Sequence, residues 1–337
     1  MRNLLLIISL FLASCEGSIE RRDRFFLLGN KALENENYEN AIQRYDESLR
    51  EDPNYTLALN NRGVAKSEMG RKYEAILDFN QALAGKPDYL EALFNRAYAY
   101  EAIGKYKKAL DDVSSIKRIT GDSAFVFFYE GLVLTKMRAY DKALLSFQKS
   151  DEIEPLNPET LVNLATVHYF KEELPEAASV IGKVLKLEPN NPNAFNLLSL
   201  IALKRKEFGK SLAEINKALN EVPSEPYFLN NRGYIYLRMD SLESALEDIN
   251  KSIILNPKNG WAYRNKGIYF LFSGEYHRAL ELFEQAEESG DFIDELFYFY
   301  GLANDRLGIT GEACLSWEKG VRNNESRSRI IFSQKCN

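Results

Sequence analysis

Small and large apolar positions recur along this chain at a fixed spacing of 34 residues from Arg22 onward. With positions numbered within each 34-residue unit, position 8 reads Gly29, Gly63, Ala97, Gly131, Ala165, Ser199, Gly233, Gly267 and Gly301. Position 20 reads Ala41, Ala75, Ala109, Ala143, Ala177, Ser211, Ala245, Ala279 and Ala313, and position 24 is always large: Tyr45, Phe79, Val113, Phe147, Ile181, Ile215, Ile249, Phe283 and Trp317. Pro53, Pro87, Pro155, Pro189, Pro223 and Pro257 stand 34 or 68 residues apart, and Gly121 fills the skipped slot. A proline lacks an N–H and biases the residue before it away from helix. Each unit therefore predicts two helices that cross closely at the small positions, with the large position filling the space between neighbouring units. Gly70, Gly104, Gly274 and Gly308 mark the turn inside a unit. The frame runs without insertion through 22–55, 56–89, 90–123, 124–157, 158–191, 192–225, 226–259, 260–293 and 294–327, leaving 328–337 as a C-terminal cap.

The first residues follow another pattern. Met1-Arg2-Asn3 precedes an apolar run from Leu4 to Leu12, too short to span a bilayer, which takes roughly 20 residues. Such a run is the core of an export signal. Leu12-Ala13-Ser14-Cys15 then resembles the bacterial lipobox, in which small residues precede a lipidated cysteine. The expectation is a signal over 1–14, lipid on Cys15 and a tether over 15–21; the alternative is an ordinary signal with an incidental Cys15. Lipidation implies export and attachment to a bacterial envelope membrane, on the periplasmic or outer-membrane face. Arg21, Arg22 and Arg24 would either touch anionic headgroups or form a solvated cluster.

The period and its small, large and proline positions resemble the tetratricopeptide repeat family over the whole chain after the signal. Departures are Gly121 and Asp291 in place of the terminal proline, and repeats without the mid-turn glycine, 5 and 6 among them. The resemblance implies an all-α fold: a right-handed superhelical solenoid of nine helix-turn-helix repeats, closed by a capping helix and behaving as one cooperative body. Ile330 or Ile331 would face the last repeat. Cys314 and Cys336 are equidistant from a turn near Glu325 and would lie opposite each other in a helical hairpin, either as a disulfide or as two free thiols.

Composition narrows the function. The chain has 337 residues, a net charge of −6, two histidines and three cysteines. The acidic balance argues against a nucleic-acid partner, which requires a basic surface. His168 and His277 fall three repeats apart and cannot share a metal or a triad. Asp111-Asp112, Glu172-Glu173 and Glu287-Glu288 are neighbours on helices, so they point in different directions. No phosphate loop, nucleophile elbow or metal-spaced set occurs. No cofactor, metal or catalytic residue is expected, and the chain does not read as an enzyme.

In the resembling family the concave groove is lined by the first helix of each repeat. Position 6 carries Asn61, Asn95, Asn163, Asn231 and Asn265, and Asn230 precedes one of them. An amide both donates and accepts, so a spaced row can hold an extended backbone whatever its side chains. This is similar to the asparagine ladder of the protein O-linked N-acetylglucosamine transferases; generic surface asparagines are the alternative. Tyr98, Tyr227, Tyr234 and Trp261 lie among these amides, with Arg264 as the one base at position 5, and Trp261 is the aromatic least needed for packing. The expected role is a protein-interaction scaffold or adaptor in the cell envelope that binds a peptide or extended partner segment. The alternative is a glycan or small ligand on the groove aromatics.

Overall fold

The structure is a computed structural model and describes residues 17–290 and 292–336. The signal, Cys15 and Asp291 fall outside the described residues. Nineteen α-helices and no strand occur among them, and contacts run between helices close in sequence, so the chain divides into two compact units. The unit ending at Lys171 holds α1 (Ser18–Glu34), α2 (Tyr38–Glu51), α3 (Thr56–Glu68), α4 (Lys72–Gly85), α5 (Leu90–Ala102), α6 (Tyr106–Thr120), α7 (Ala124–Lys136), α8 (Tyr140–Ile153) and α9 (Pro158–Phe170). The unit beginning at Glu172 holds α10 (Leu174–Leu187), α11 (Pro192–Lys204), α12 (Phe208–Glu221), α13 (Pro226–Arg238), α14 (Leu242–Leu255), α15 (Gly260–Phe272), α16 (Tyr276–Glu288), α17 (Leu296–Arg306), α18 (Thr310–Arg322) and α19 (Ser326–Lys335). Odd-numbered helices are the first helices of the repeats, even-numbered ones the second, and α19 closes the chain. No described helix is long and apolar enough to cross a membrane.

The large residue at position 24 packs inside its own repeat, where the sequence pattern suggested filling between repeats. A Cβ built on Gly29, Gly63, Gly131 or Gly267 would fall 2.5–2.7 Å from the ring of Tyr45, Phe79, Phe147 or Phe283, and one on Gly301 would fall 2.2 Å from Trp317 Nε1. All five rings are fully buried. The two positions match in size along the chain. Every aromatic ring at position 24 faces glycine at position 8, whereas Val113, Ile181 and Ile215 go with Ala97, Ala165 and Ser199. Gly233 with Ile249 is the exception.

Local signals explain the helix ends. Asn157, Asn191 and Glu225 precede a proline in the first turn of α9, α11 and α13, and their side chains accept from Thr160, Ala194 and Tyr227 N–H. Inside the repeats, position 15 is left-handed whether or not it is glycine. Gly70, Gly104, Gly274 and Gly308 share positive φ with Glu36, Arg138, Glu172, Lys206 and Asp240. A hydrogen bond across the turn holds it, such as Asn37 N–H to Ala32 O at 2.9 Å and Ala139 N–H to Leu134 O at 2.9 Å. Five repeats, 1, 4, 5, 6 and 7, thus lack the glycine, where the sequence reading set apart only 5 and 6: repeats 1, 4, 6 and 7 keep the bonded turn, and Glu172 of repeat 5 has the same left-handed φ.

Both ends differ from the sequence expectation. Helix α1 starts at Ser18, so most of the expected tether is helical. Arg21 and Arg22 are engaged within the protein, Arg21 with Glu51 at 2.8 Å and Arg22 with Asp23 at 2.7 Å and Asp52 at 3.3 Å. At the other end α19 begins two residues before the expected cap. Ile331 is half-buried, while Ile330 is 58% exposed. Cys314 and Cys336 form a disulfide with Cα atoms 5.7 Å apart. The buried Glu325 carboxylate accepts from Phe297 N–H at 3.2 Å and Tyr298 N–H at 3.0 Å, capping α17; burial pushes its pKa up, against these bonds and that from Ser328.

The fit between positions 8 and 24 gives a stability prediction. Gly267→Ala forces Cβ against the Phe283 ring and lowers stability by about 2 kcal/mol. Combining it with Phe283→Ile, which follows the sequence pairing of alanine with a β-branched residue at Ala97 and Val113, costs less than the sum of the single changes in chemical denaturation. Strict additivity would refute the size-matching account.

Candidate functional site

In each unit the first helices touch one another. In the first unit α1 meets α3, α3 meets α5 and α7 meets α9; in the second, α11 meets α13, α13 meets α15 and α15 meets α17. No two second helices make a comparable contact among the described residues. The first helices therefore form the inner, concave layer of each unit.

The asparagines of this layer bond to each other. In the first unit Asn95 Nδ2 donates to Asn60 Oδ1 at 2.9 Å, Asn60 Nδ2 to Asn61 Oδ1 at 3.0 Å, and Asn61 Nδ2 to Asn30 Oδ1 at 2.9 Å. The Tyr45 hydroxyl closes the row on the same Asn30 oxygen at 2.8 Å. The second unit repeats the pattern. Asn265 Nδ2 donates to Asn230 Oδ1 at 2.8 Å, Asn230 Nδ2 to Asn231 Oδ1 at 3.4 Å, and Asn231 Nδ2 to Asn196 Oδ1 at 2.8 Å. Each row is a directional amide relay that ties three first helices together. The inter-repeat bonds at Asn60–Asn95, Asn196–Asn231 and Asn230–Asn265 join residues 35 apart, one more than the repeat. That offset is the signal a 34-residue reading passes over; Asn30, at position 9, joins by a different step of 31 residues to Asn61, which no position-5 or position-6 pattern contains.

Asn163 stands outside both relays, since its Nδ2 donates to Glu159 O of its own helix. In the first unit the relay stops at Asn95, and the next position 6 is Tyr129. The Tyr129 hydroxyl is buried without a hydrogen-bond partner, and burial pushes its pKa up. The neighbouring Glu101 carboxyl is likewise pushed up by burial, with Lys136 opposing.

Arg264 is 4% exposed. Its Nε and Nη2 donate to Asn265 Oδ1 at 3.0 and 2.7 Å, and its Nη1 donates to Asp294 O at 2.6 Å. The guanidinium lies 4.8 Å from the Tyr234 ring centroid and 5.0 Å from that of Trp261. This corrects the sequence reading of Trp261 as an aromatic spared from packing: it is half-buried against the apolar core of α15–α17 and stacked on Arg264. Tyr234 packs on the same core. Tyr98 and Tyr227 remain open, at 55% and 48% exposure, with Lys72 Nζ 5.3 Å from the Tyr98 ring.

Charges on the other side of the first helices are structural. Arg62, Arg96 and Arg232 form two-pronged pairs with Asp78, Asp112 and Asp248 on the second helix of the same repeat. Asp112 is buried and Asp111 exposed, so that acidic pair does diverge. Burial pushes Asp112 up and Arg96 opposes it. His168 is half-buried and His277 exposed.

The fold and this inner layer define a helical-repeat protein. The tetratricopeptide repeat family matches residues 26–66, 65–124, 162–226 and 226–259, more than half of the chain, and the protein belongs to that family. No curated protein matches it by sequence. Among solved structures it is similar to a tetratricopeptide repeat protein from Parabacteroides merdae, at 18% identity over 84% of this chain and 99% of that one, with a TM-score of 0.50. It is also similar to the human IFIT1 dimer with m7Gppp-AAAA, at 19% identity over 78% of this chain and 67% of that one, TM-score 0.57. MamA is 22% identical over 51% of this chain and 93% of that one, TM-score 0.47. These likenesses are of fold.

Breaking a relay has a measurable cost. Asn230→Ala strips Asn265 and Asn231 of a buried partner and lowers stability by about 1–3 kcal/mol. Asn163→Ala removes only a bond within its own helix and costs less than about 0.5 kcal/mol. Equal urea midpoints for the two variants would show that the relay carries no stability.

Proposed function

We propose that this protein is an exported, lipid-anchored, non-catalytic scaffold that holds an extended segment of a partner protein on the inner layer of first helices of a unit. One observation carries the reading: the relays fix the half-buried amides of Asn61, Asn95 and Asn231 in orientation, and each spends one of its two N–H groups on its neighbour. A preoriented N–H loses little freedom when it meets a peptide carbonyl. Exposed rings on the inner layer of each unit, Tyr98 and Phe125 in the first and Tyr227 in the second, offer apolar area beside these donors. Membership of a repeat family of interaction scaffolds supports the absence of chemistry, and the acidic balance of the chain supports a protein over a nucleic acid. The apolar run ending in Leu12-Ala13-Ser14-Cys15 supports the anchor, and the start of α1 at Ser18 keeps the folded part within a few residues of it.

Two measurements test the parts separately. Cys15→Ser moves the protein from the membrane pellet to the soluble fraction of its cells; an unchanged distribution removes the anchor. Crosslinking in intact cells with the wild type captures a partner that is lost or strongly reduced with Tyr98→Ala and Phe125→Ala together, or with Tyr227→Ala. Identical capture by all three proteins moves the partner site off the inner layer.

A further inference from the structure

The first helices of the second unit carry an unusual charge pattern. Helices α11, α13, α15 and α17 contain a single acidic residue, Asp305, which is bonded to Lys335 of α19 at 2.5 Å. Glu225, just before α13, caps that helix, and Glu295, just before α17, pairs with Arg327 at 3.2 Å. Against these stand Lys204, Arg238, Arg264 and Arg306 at positions 5 and 13 of the same helices. Lys204 meets Glu172 at 3.2 Å; Arg238, Arg264 and Arg306 have no carboxylate at ion-pair distance among the described residues. The pattern belongs to this unit and not to the fold in general, because the first helices α3, α5, α7 and α9 carry Glu68, Glu91, Glu101, Glu130 and Glu159.

Arg264 lies just beneath this surface, 4% exposed, while Arg238 and Arg306 are exposed. A buried ion without a counter-charge costs several kcal/mol unless hydrogen bonds and geometry offset it. Here the three bonds go to neutral acceptors, an amide oxygen and a backbone carbonyl, and the two rings supply cation–π attraction. Three of the five guanidinium N–H groups are thus used. Folding has already stripped water from this charge and fixed its plane, so a carboxylate admitted by a small shift of the half-buried Trp261 ring would meet an oriented cation and gain more than at a solvated arginine. Neighbouring first helices stand about 8–10 Å apart, close to three residues of extended chain. Arg264 at position 5 and Arg238 and Arg306 at position 13 are also offset by about 12 Å along their helices, so an extended segment that reaches all three runs obliquely over the layer, with its acidic side chains about four to five residues apart.

We propose that the inner layer of the second unit recognises an acidic, extended peptide segment, with Arg264 receiving one of its carboxylates and Arg238 and Arg306 receiving others. The inference rests on the partner-segment reading above and names the chemistry of that segment. A peptide fits better than a nucleic acid because the four cations named on this layer are too few to follow a phosphate backbone, and the chain as a whole has a net charge of −6.

Trp261 supplies the readout. The chain has two tryptophans; Trp317 is fully buried and Trp261 is half-buried against Arg264. A library of random dodecapeptides is selected on the full-length Cys15→Ser chain. An enriched peptide is then titrated by tryptophan emission beside its Gln/Asn-substituted copy, its C-terminally amidated copy and a uridine oligonucleotide. The expected result is enrichment of acidic sequences and a shift in emission that Trp261→Phe abolishes. Binding should weaken about tenfold or more for the Gln/Asn copy and for the Arg238→Glu/Arg306→Glu double variant, and rising salt should weaken it further. Arg264→Gln should weaken it at least as much; if that variant unfolds in a thermal melt, the double variant at two exposed sites decides. Loss on amidation alone supports Arg264 as a receptor for a chain-terminal carboxylate, and loss on Gln/Asn substitution supports side-chain carboxylates. Enrichment of neutral or basic peptides, or equal binding of acidic and Gln/Asn copies, overturns acid recognition while leaving partner capture on the inner layer standing. Tighter binding of the oligonucleotide than of any peptide, or no enriched peptide at all, also overturns it.

Discussion

The close approach of two helices over a missing side chain underlies the rest of this structure. At position 8 the absence of Cβ lets the ring at position 24 lie directly on the backbone of the partner helix, and the buried ring then fixes the spacing of the pair. A buried Phe contributes roughly 1.5–3 kcal/mol of apolar transfer, so five such rings hold five helix pairs. Where the ring is replaced by Val or Ile, the facing position grows to Ala or Ser in three of four repeats. The volume between the helices is kept and the geometry of each repeat survives its change of content.

On that scaffold four consecutive residues serve three directions. Asn60-Asn61-Arg62-Gly63 and Asn230-Asn231-Arg232-Gly233 recur in the two units. The asparagines turn to the inner layer and join the relay, the arginine turns to the second helix and forks onto an aspartate, and the glycine receives the ring or Ile249. Helical rotation alone sends neighbouring residues to these separate faces. Repeat 8 keeps the plan with Arg264-Asn265-Lys266-Gly267 but moves the arginine to the front. Its charge then lies in the inner layer, away from the aspartate that receives it elsewhere. Burial lowers the pKa of Lys266, left at the usual arginine position, with Arg278 adding to the effect.

The period, the helix pairs and the spacing of the two cysteines could be read from the sequence because each depends on residues at fixed separation. The relay could not be read in full. Its bonds step from position 5 of one repeat to position 6 of the next, and only the packed helices show that Asn60 reaches Asn95. Trp261 stands at a position that packing between helices does not require, yet Arg264 three residues on gives it a partner that the repeat pattern does not show. The turns of repeats 5 and 6 show the converse. Glu172 and Lys206 take the left-handed conformation without glycine because tertiary packing and the turn geometry outweigh the roughly 1–2 kcal/mol cost of that backbone.

The C-terminal disulfide gives the molecule a polarity. In a stack held by neighbour contacts, the terminal members fray first. At one terminus α19 is tied to α18 by Cys314–Cys336 and its entry is pinned by Glu325 on α17. At the other, α1 is held by side-chain packing and by surface ion pairs, which contribute little. Thermal breathing and proteolytic nicking are thus directed to the α1 end, while the α19 end is sealed wherever its surroundings are oxidising.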